Sequence, residues 1–467
     1  MSNHKQIHLA GQIRRFKQAF LQLPELSFKD LFSSDILQRV AEQASSLRDV
    51  IYTPLVTLNL FLRQVLSEDG SCKHIVASFL SERLRARQEA VSVNTGPYCK
   101  ARKRLPLEPL QELVRGSGDA VDRQSATGWL WRGWRVKIVD GSTVLLADTP
   151  ENQQKYPQQK NQKPGLGFPI IRIVGLISLG VGTVLDYALG AYQGKGSGEL
   201  SLFARLMDGL LHGDLLLADR YYATYATLAK LHTREVAALM KQHAQRKPDF
   251  RTGRRLGARD HIICWSKPKV VPAWMSAEEF AALPDELEVR EFRVGAVVYV
   301  TTLLDAKVYP KGELARLYQE RWNIELDFRN IKTHMRMEML RCQTPEMVEK
   351  EIAVNLLAYN LIRAQIAQAA QLHAKNPRQL SFKSGMQLFL QAVVQWVSVP
   401  IKHLRKMFKA LLLSIASTPV GIIKKKPQPR AVKRRPKAYP RLMEPRAALC
   451  RKLERALEKN MQSQYIG

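Results

Sequence analysis

Cysteine is scarce and scattered in this 467-residue chain: Cys72, Cys99, Cys264, Cys342 and Cys450 form no C-x-x-C pair. That argues against a zinc ribbon or a disulfide framework and fits a reducing cytoplasm. Long apolar runs are also missing. The longest, Ala410 to Ile423, is broken by Pro419 and falls short of the roughly 20 residues that span a bilayer. The first twenty residues hold no apolar core before a small-residue cleavage site, so no secretory leader and no membrane partner are expected. Among the ten histidines, His212, His232 and His243 show no ligand spacing, which discounts a histidine-based metal site. Acidic residues are the last deficit. Only 42 Asp and Glu face 72 Lys and Arg, leaving a net charge of +30. Such an excess opposes compaction and implies a polyanionic partner, nucleic acid in preference to a membrane surface.

What is present is enough to fold. Hydrophobic residues make up 45% of the chain, and its length suggests two to four domains. Residues 1–125 read as helical, with apolar residues at helical spacing in Ile51–Leu66 and Ile75–Leu84. Thr95 and Pro97 then open a short basic segment, and a further helix follows over Glu108–Val114. Those two helices suit either a DNA-binding unit or a helical cap with a solvated basic face. From Trp134 the texture changes. Arg135–Ala147, Ile170–Leu179 and Val184–Tyr192 are β-branched runs between turns, followed by a helix over Glu199–Leu211. A short strand, Leu215–Asp219, a helix, Tyr222–His232, and a strand, Val236–Lys241, complete a β-β-β-α-β-α-β order. That is an α/β domain with a mixed sheet. Residues 126–242 form its first part, 243–305 a β-rich insertion, and 306–400 its helical second part. Residues 401–467 carry 18 basic and three acidic residues, half of the net charge. The Pro-broken run from Lys424 to Lys437 reads as a basic arm that meets phosphates without reading sequence, or as a solvated tail.

The chemistry concentrates on a helix expected from Pro310 to about Met339. Tyr318, Arg321, Glu325 and Lys332 lie at offsets 0, 3, 7 and 14, within an arc of roughly 60° at about 100° per residue. Leu317, Ile324, Phe328, Ile331 and Met335 occupy the neighbouring sector and face the core. A carboxylate flanked by Tyr, Arg and Lys at the edge of the buried side suggests phosphate and metal in one groove. Asp140, ending Val136-Lys-Ile-Val-Asp, and Asp219, closing Leu215-Leu-Leu-Ala-Asp, sit where α/β sheets place ligand groups. Carboxylate oxygens are the hard donors that Mg²⁺ or Mn²⁺ require, and two ions roughly 4 Å apart suit an in-line phosphodiester displacement. Asp148, Asp186 and Asp214 qualify on similar grounds, so neither aspartate is fixed by its own position. Arg220 and Tyr222, next to Asp219, suit either DNA contact or packing. The polar loop Gln153–Gly167 reads as a DNA-closing element or a mobile hairpin.

Tyr318-x₂-Arg321-x₃-Glu325-x₆-Lys332 resembles the signature of the insertion-sequence transposases of the IS-four family. Val139-Asp-Gly-Ser-Thr, Leu217-Ala-Asp-Arg-Tyr-Tyr and Tyr318-Gln-Glu-Arg-Trp-Asn-Ile-Glu resemble that family too, over roughly residues 50–400. The resemblance implies a ribonuclease-H-like catalytic domain with a β-rich insertion. It implies that Asp140, Asp219 and Glu325 are metal ligands, and that Tyr318, Arg321 and Lys332 contact phosphates of the element end. The implied reaction is Mg²⁺-dependent nicking of double-stranded DNA, then attack of the freed 3′-hydroxyl on another strand, by a homodimer on two ends in the nucleoid. Relatives pass through a hairpin with a Trp of the insertion on a flipped base. Trp265 and Trp274 both qualify for that role, no motif decides between them, and each reads more readily as a core aromatic; the short insertion also weighs against that step. A non-transposing nuclease of the same fold and a catalytically silent DNA-binding derivative are the competing readings.

Overall fold

The computed structural model describes residues 3–23, 28–44, 51–396, 399–421 and 442–464. Among them, α1 (Asn3–Ala19), α2 (Ser34–Gln43), α3 (Pro54–Leu66), α4 (Cys72–Arg85), α5 (Gly96–Arg104) and α6 (Leu107–Arg123) precede the first strand. Local chemistry sets several of their starts. The Ser33 and Ser71 hydroxyls accept the backbone N–H groups of Ile36 and His74, satisfying donors that the first turn leaves open. Pro54 starts α3 without needing a donor. Thr95 makes no cap hydrogen bond; Asn94 accepts from Gly96 N at 2.8 Å instead. The last of these helices is longer than expected, because Leu110, Leu113, Val114, Ser117 and Val121 form a continuous buried stripe.

The strands are β1 (Arg135–Leu145), β2 (Ile170–Ser178), β3 (Val184–Ala191), β4 (Asp214–Ala218), β5 (Ala237–Lys241), β6 (Arg254–Gly257), β7 (Asp260–Ser266), β8 (Glu286–Val294) and β9 (Val297–Thr301). They form one sheet of order β3-β2-β1-β4-β5-β9-β8-β7-β6. The first three pair antiparallel, while β1–β4 and β4–β5 are parallel. This is the ribonuclease-H-like order, with helices on both faces. The strands of the β-rich segment continue the same sheet: β9 pairs antiparallel with β5, and β8, β7 and β6 add outward.

Alternation along β1 splits the core. Ile138 joins a cluster shared with the N-terminal helices and with the long helix over Pro345–Leu372, and Val139 joins the cluster on the opposite face. Helices α7 (Pro150–Lys155), α8 (Glu199–Ala204), α9 (Tyr225–His232) and α10 (Ala277–Ala281) are interspersed with the strands. After the sheet come α11 (Lys311–Gln319), α12 (Asn323–Arg329), α13 (Pro345–Leu372), α14 (Phe382–Gln395), α15 (Ile401–Ala416) and α16 (Arg446–Gln464). The long α13 is buried along most of its length, from Met347 to Ala370, because α3, α6, α14 and α15 pack around it. No helix of the described residues is long and apolar enough to cross a membrane. The basic run Lys424–Lys437 lies outside the described residues. The loop Gln153–Gly167 is tied to the start of α16: Arg446 donates to Asp148 at 2.8 Å and to the Leu166 carbonyl at 3.0 Å.

The helix expected over 310–339 is instead segmented. A 3-10 turn over Glu320–Trp322 separates α11 from α12, and a π turn over Asn330–His334 ends the run. The Asn323 amide donates to the Glu320 carbonyl and carboxylate, both at 2.8 Å, a side-chain bond that competes with the regular backbone ladder. Arg336, with a φ of 61°, closes the segment short of Met339. The expected core face survives: Leu317, Ile324, Ile331 and Met335 are buried and Phe328 is partly so.

Candidate active site

Strand register brings the two aspartates together. Ile138 of β1 lies opposite Leu217 of the parallel neighbour β4. Two residues further along, Asp140 stands level with Asp219, on strands spaced by about 4.8 Å. There β4 has just ended at Ala218, whereas β1 runs on to Leu145. The aspartates therefore sit at an opening in the sheet. Asp219 Oδ1 accepts the Tyr221 N–H at 2.7 Å, which turns the chain sharply off the strand.

Asp140 Oδ1 accepts Gly141 N at 2.8 Å and Oδ2 accepts Arg321 Nη1 at 3.0 Å. Burial pushes its carboxyl above the usual range, partly opposed by those donors and reinforced by the nearby Asp219 charge. The same guanidinium reaches Glu325 Oε1 at 3.7 Å. Arg321 thus bridges the strand aspartate and the helical glutamate. The 3-10 turn leaves Glu320 and Trp322 exposed and Arg321 largely covered, while α12 packs against β1. Among the described residues, no three His, Cys, Asp or Glu side chains are grouped closely enough to hold a metal ion.

Tyr318 is buried, with Lys241 5.6 Å from its ring centre and its hydroxyl without a hydrogen bond. Burial pushes that phenol up to about 12. Lys332 lies half-buried in the π turn, and Arg220 is exposed beside Asp219. Tyr222 packs instead: its ring is fully buried, edge-on to Phe203 with centroids 5.4 Å apart. The competing aspartates have structural partners. Asp214 and Asp122 flank buried Lys137, Asp186 faces Arg115, and Asp148 holds Arg446.

Trp265 does not stand where base stacking requires. It is 2% exposed, with the Arg246 guanidinium 3.8 Å from its ring centre and its indole N–H donated to Glu291 at 2.8 Å. The indole packs with Met275, Phe280 and Leu287, and Trp274 is partly buried against the same cluster. Trp265→Phe is therefore expected to cost about 1–3 kcal/mol of stability, through the lost bond to a carboxylate. DNA-end affinity in a gel-shift assay should stay within twofold; a larger loss at unchanged melting temperature would return Trp265 to the DNA. The exposed aromatics at the site are Trp322, 60% exposed, and Tyr221, 47% exposed. Neither is marked in the sequence: Trp322 falls inside the helix expected from Pro310 to about Met339, and Tyr221 just ahead of the one expected over Tyr222–His232.

Residues 131–361 match the family model described as the transposase DDE domain. Over 324 residues the chain is 28% identical to transposase InsG for insertion sequence element IS4 of Escherichia coli (strain K12), spanning 66% of this chain and 70% of that protein. A solved structure described as the piggyBac transposase synaptic complex with hairpin DNA aligns with a TM-score of 0.44 at 8% identity, over 86% of this chain and 85% of that one. The matched domain begins just before β1 and ends within α13, enclosing both aspartates and the Tyr318–Lys332 segment. The chain belongs to the DDE transposases of the IS4 family: it is a DNA transposase, a polynucleotidyl transferase of a family that uses divalent metal ions.

Proposed function

We propose that Asp140, Asp219 and Glu325 hold Mg²⁺, replaceable by Mn²⁺, at two ions per site, and that a homodimer cuts and joins the ends of an insertion sequence. The observation that carries this reading is the parallel register of β1 and β4, which sets two hard carboxylates side by side, with Glu325 across one guanidinium. That donor set suits a small divalent ion once Arg321 turns from the carboxylates to a phosphate. Bound there, the ions would polarise the scissile phosphate and stabilise charge on the attacking and leaving oxygens.

The protein's own groups do the rest. Arg321 exchanges carboxylate partners for a phosphate oxygen, so DNA arrival frees the acids that the reaction needs. Lys332 and Arg220 neutralise neighbouring phosphates, and the unpaired Tyr318 hydroxyl donates to one of them. Water first attacks the phosphodiester at the element end, forming a new P–O bond as the bond to the 3′-oxygen breaks. The freed 3′-hydroxyl then attacks a second strand, exchanging one phosphodiester for another. Two ends must be held together, which two protomers supply.

The test is direct. The full chain, mixed with duplex DNA carrying the element's ends and Mg²⁺, should yield 3′-end nicks, then hairpins or joined products, and chelation should remove them all. If six to ten phosphates are contacted, affinity should fall by about 10³–10⁵ between 50 and 200 mM salt. Equal cutting of end-bearing and unrelated duplex, with no joined product, would sink the transposition reading in favour of a nuclease.

A further inference from the structure

The helix that presents Glu325 borders a second space on its adjoining face. A cavity of about 140 Å³ lies between α12, the π turn and the start of α14. That is several times the roughly 30 Å³ share of a water molecule, room enough for a phosphate group. Asn323 and Leu326, on either side of Glu325 in the chain, form part of its wall. Arg329, one helix turn beyond Glu325, lines it too.

The lining is cationic. Arg329, Arg363, Arg378 and Lys383 surround the cavity with His334, and no carboxylate lines it. Arg363 and Arg378 share the one buried carboxylate of Asp327, so that inner pair leaves one positive charge over. Arg329 and Lys383 are exposed and have no ion-pair partner among the described residues. Burial, and then the charges of Lys383 and Arg329, hold the His334 imidazole below its ordinary range.

Hydrogen-bond donors meet in the same space. Asn330 lines it at 8% exposure, and its side-chain amide has no partner among the described residues. An unpaired buried amide is costly, and an oxygen of a ligand would remove that cost. Ser381, Phe382 and Lys383, the N-cap and first two residues of α14, also line the cavity. The positive end of that 14-residue helix therefore opens on it.

We propose that this cavity receives a backbone phosphate of the bound DNA strand, near the one that is cut, through Arg329, Asn330 and Lys383. Duplex DNA is the polyanion that suits the place. A strand with its scissile phosphate at Glu325 carries further phosphates at about 3.4 Å of rise each. A second grip beside the same helix fixes the register of the strand, and so the bond that meets the acids. The inference rests on the proposed active-site role of Glu325.

The experiment follows the full chain on fluorescent end-bearing duplex by anisotropy, with EDTA present so that nothing is cut. Melting temperature is the folding control. Replacing both exposed cations, Arg329→Gln with Lys383→Gln, should weaken binding by about 10- to 100-fold, the range of one charge-assisted hydrogen bond. The salt slope should become shallower by about 0.9, the share of one phosphate. An uncharged methylphosphonate, moved along the strand, should weaken the unaltered chain at one position where the double variant loses nothing more. If the double variant binds like the unaltered chain, the inference is wrong. If it binds more weakly but shows no such position, the cations form a diffuse surface and the site falls. If inorganic phosphate raises the melting temperature of the unaltered chain alone, at equal DNA affinity, the cavity serves free phosphate and the DNA assignment falls. Full-rate cleavage by Glu325→Gln would instead overturn the active-site reading, and this inference with it.

Discussion

Asp140→Asn, Asp219→Asn or Glu325→Gln should each lower Mg²⁺-dependent cleavage of element-end DNA by about a thousandfold or more, with end binding retained. The size follows from what a carboxylate ligand supplies. Charge stabilisation at a metal-assisted phosphodiester displacement is worth several kcal/mol, and each 1.4 kcal/mol is tenfold in rate. The amide replacements keep shape but give up the anionic oxygens. Stability should move the other way at Asp140. Burial holds its carboxyl above the usual range, so ionised Asp140 costs the folded state something that neutral Asn does not. The Asn variant should therefore melt at the same temperature or higher. A dead enzyme that is at least as stable marks a residue kept for chemistry. If any of the three variants cleaves at the unaltered rate in single-turnover assays, that residue is not a ligand. Asp214→Asn makes the contrasting control: its carboxylate flanks buried Lys137 far from the strand opening, so cleavage by the folded fraction should be unchanged.

The parts of this arrangement written in local sequence were legible in it. The β-branched runs marked β1, β2 and β3 within a residue or two, because each strand's pattern depends on its own side chains. The line Tyr318, Arg321, Glu325, Lys332 was visible as a spacing on one expected helix, although the structure divides it over α11, a 3-10 turn, α12 and a π turn. Pairing between distant elements was not. Nothing local says that Ile138 faces Leu217, yet that register alone brings Asp140 to Asp219. The strands beyond His243 read as β-rich, but their joining of the main sheet through β9 and β5 is a nonlocal choice. The core reading of Trp265 could be favoured but not fixed from sequence, because its partners, Arg246 and Glu291, are 19 and 26 residues away. The 3-10 turn at Arg321 was hidden by a pattern suited to a continuous helix, which the Asn323 side chain interrupts.

The largest loss of stability is expected at Asp327, two residues beyond Glu325 on α12 and pointing the opposite way. Its carboxylate is fully buried and accepts from Arg363 at 2.5 Å, from Arg378 at 2.7 and 2.9 Å, and from the Tyr359 hydroxyl at 2.9 Å. Arg378 also donates to the carbonyls of Leu179 and Ser178 at 2.6 and 2.8 Å. One carboxylate thus joins α12 to α13, to the turn before α14 and to the end of β2. Asp327→Ala would strand two guanidinium groups out of water, and breaking a buried pair on one side costs about 3–5 kcal/mol. That is a large share of a domain's typical margin of about 5–15 kcal/mol. The expected result is a melting temperature lower by many degrees, or little soluble protein at 37 °C. Asp327→Asn keeps the acceptor oxygen and loses the charge, so it should fall between. Cleavage should suffer as well, even in the folded fraction at low temperature, because the same helix presents Glu325 to Asp140 across Arg321. Positioning by α12 predicts that Asp327→Asn lowers the cleavage rate constant while leaving DNA-end affinity alone. A variant that unfolds early but cleaves at the full rate when folded would limit Asp327 to stability and leave Glu325 held by the packing of Ile324 and Phe328 alone.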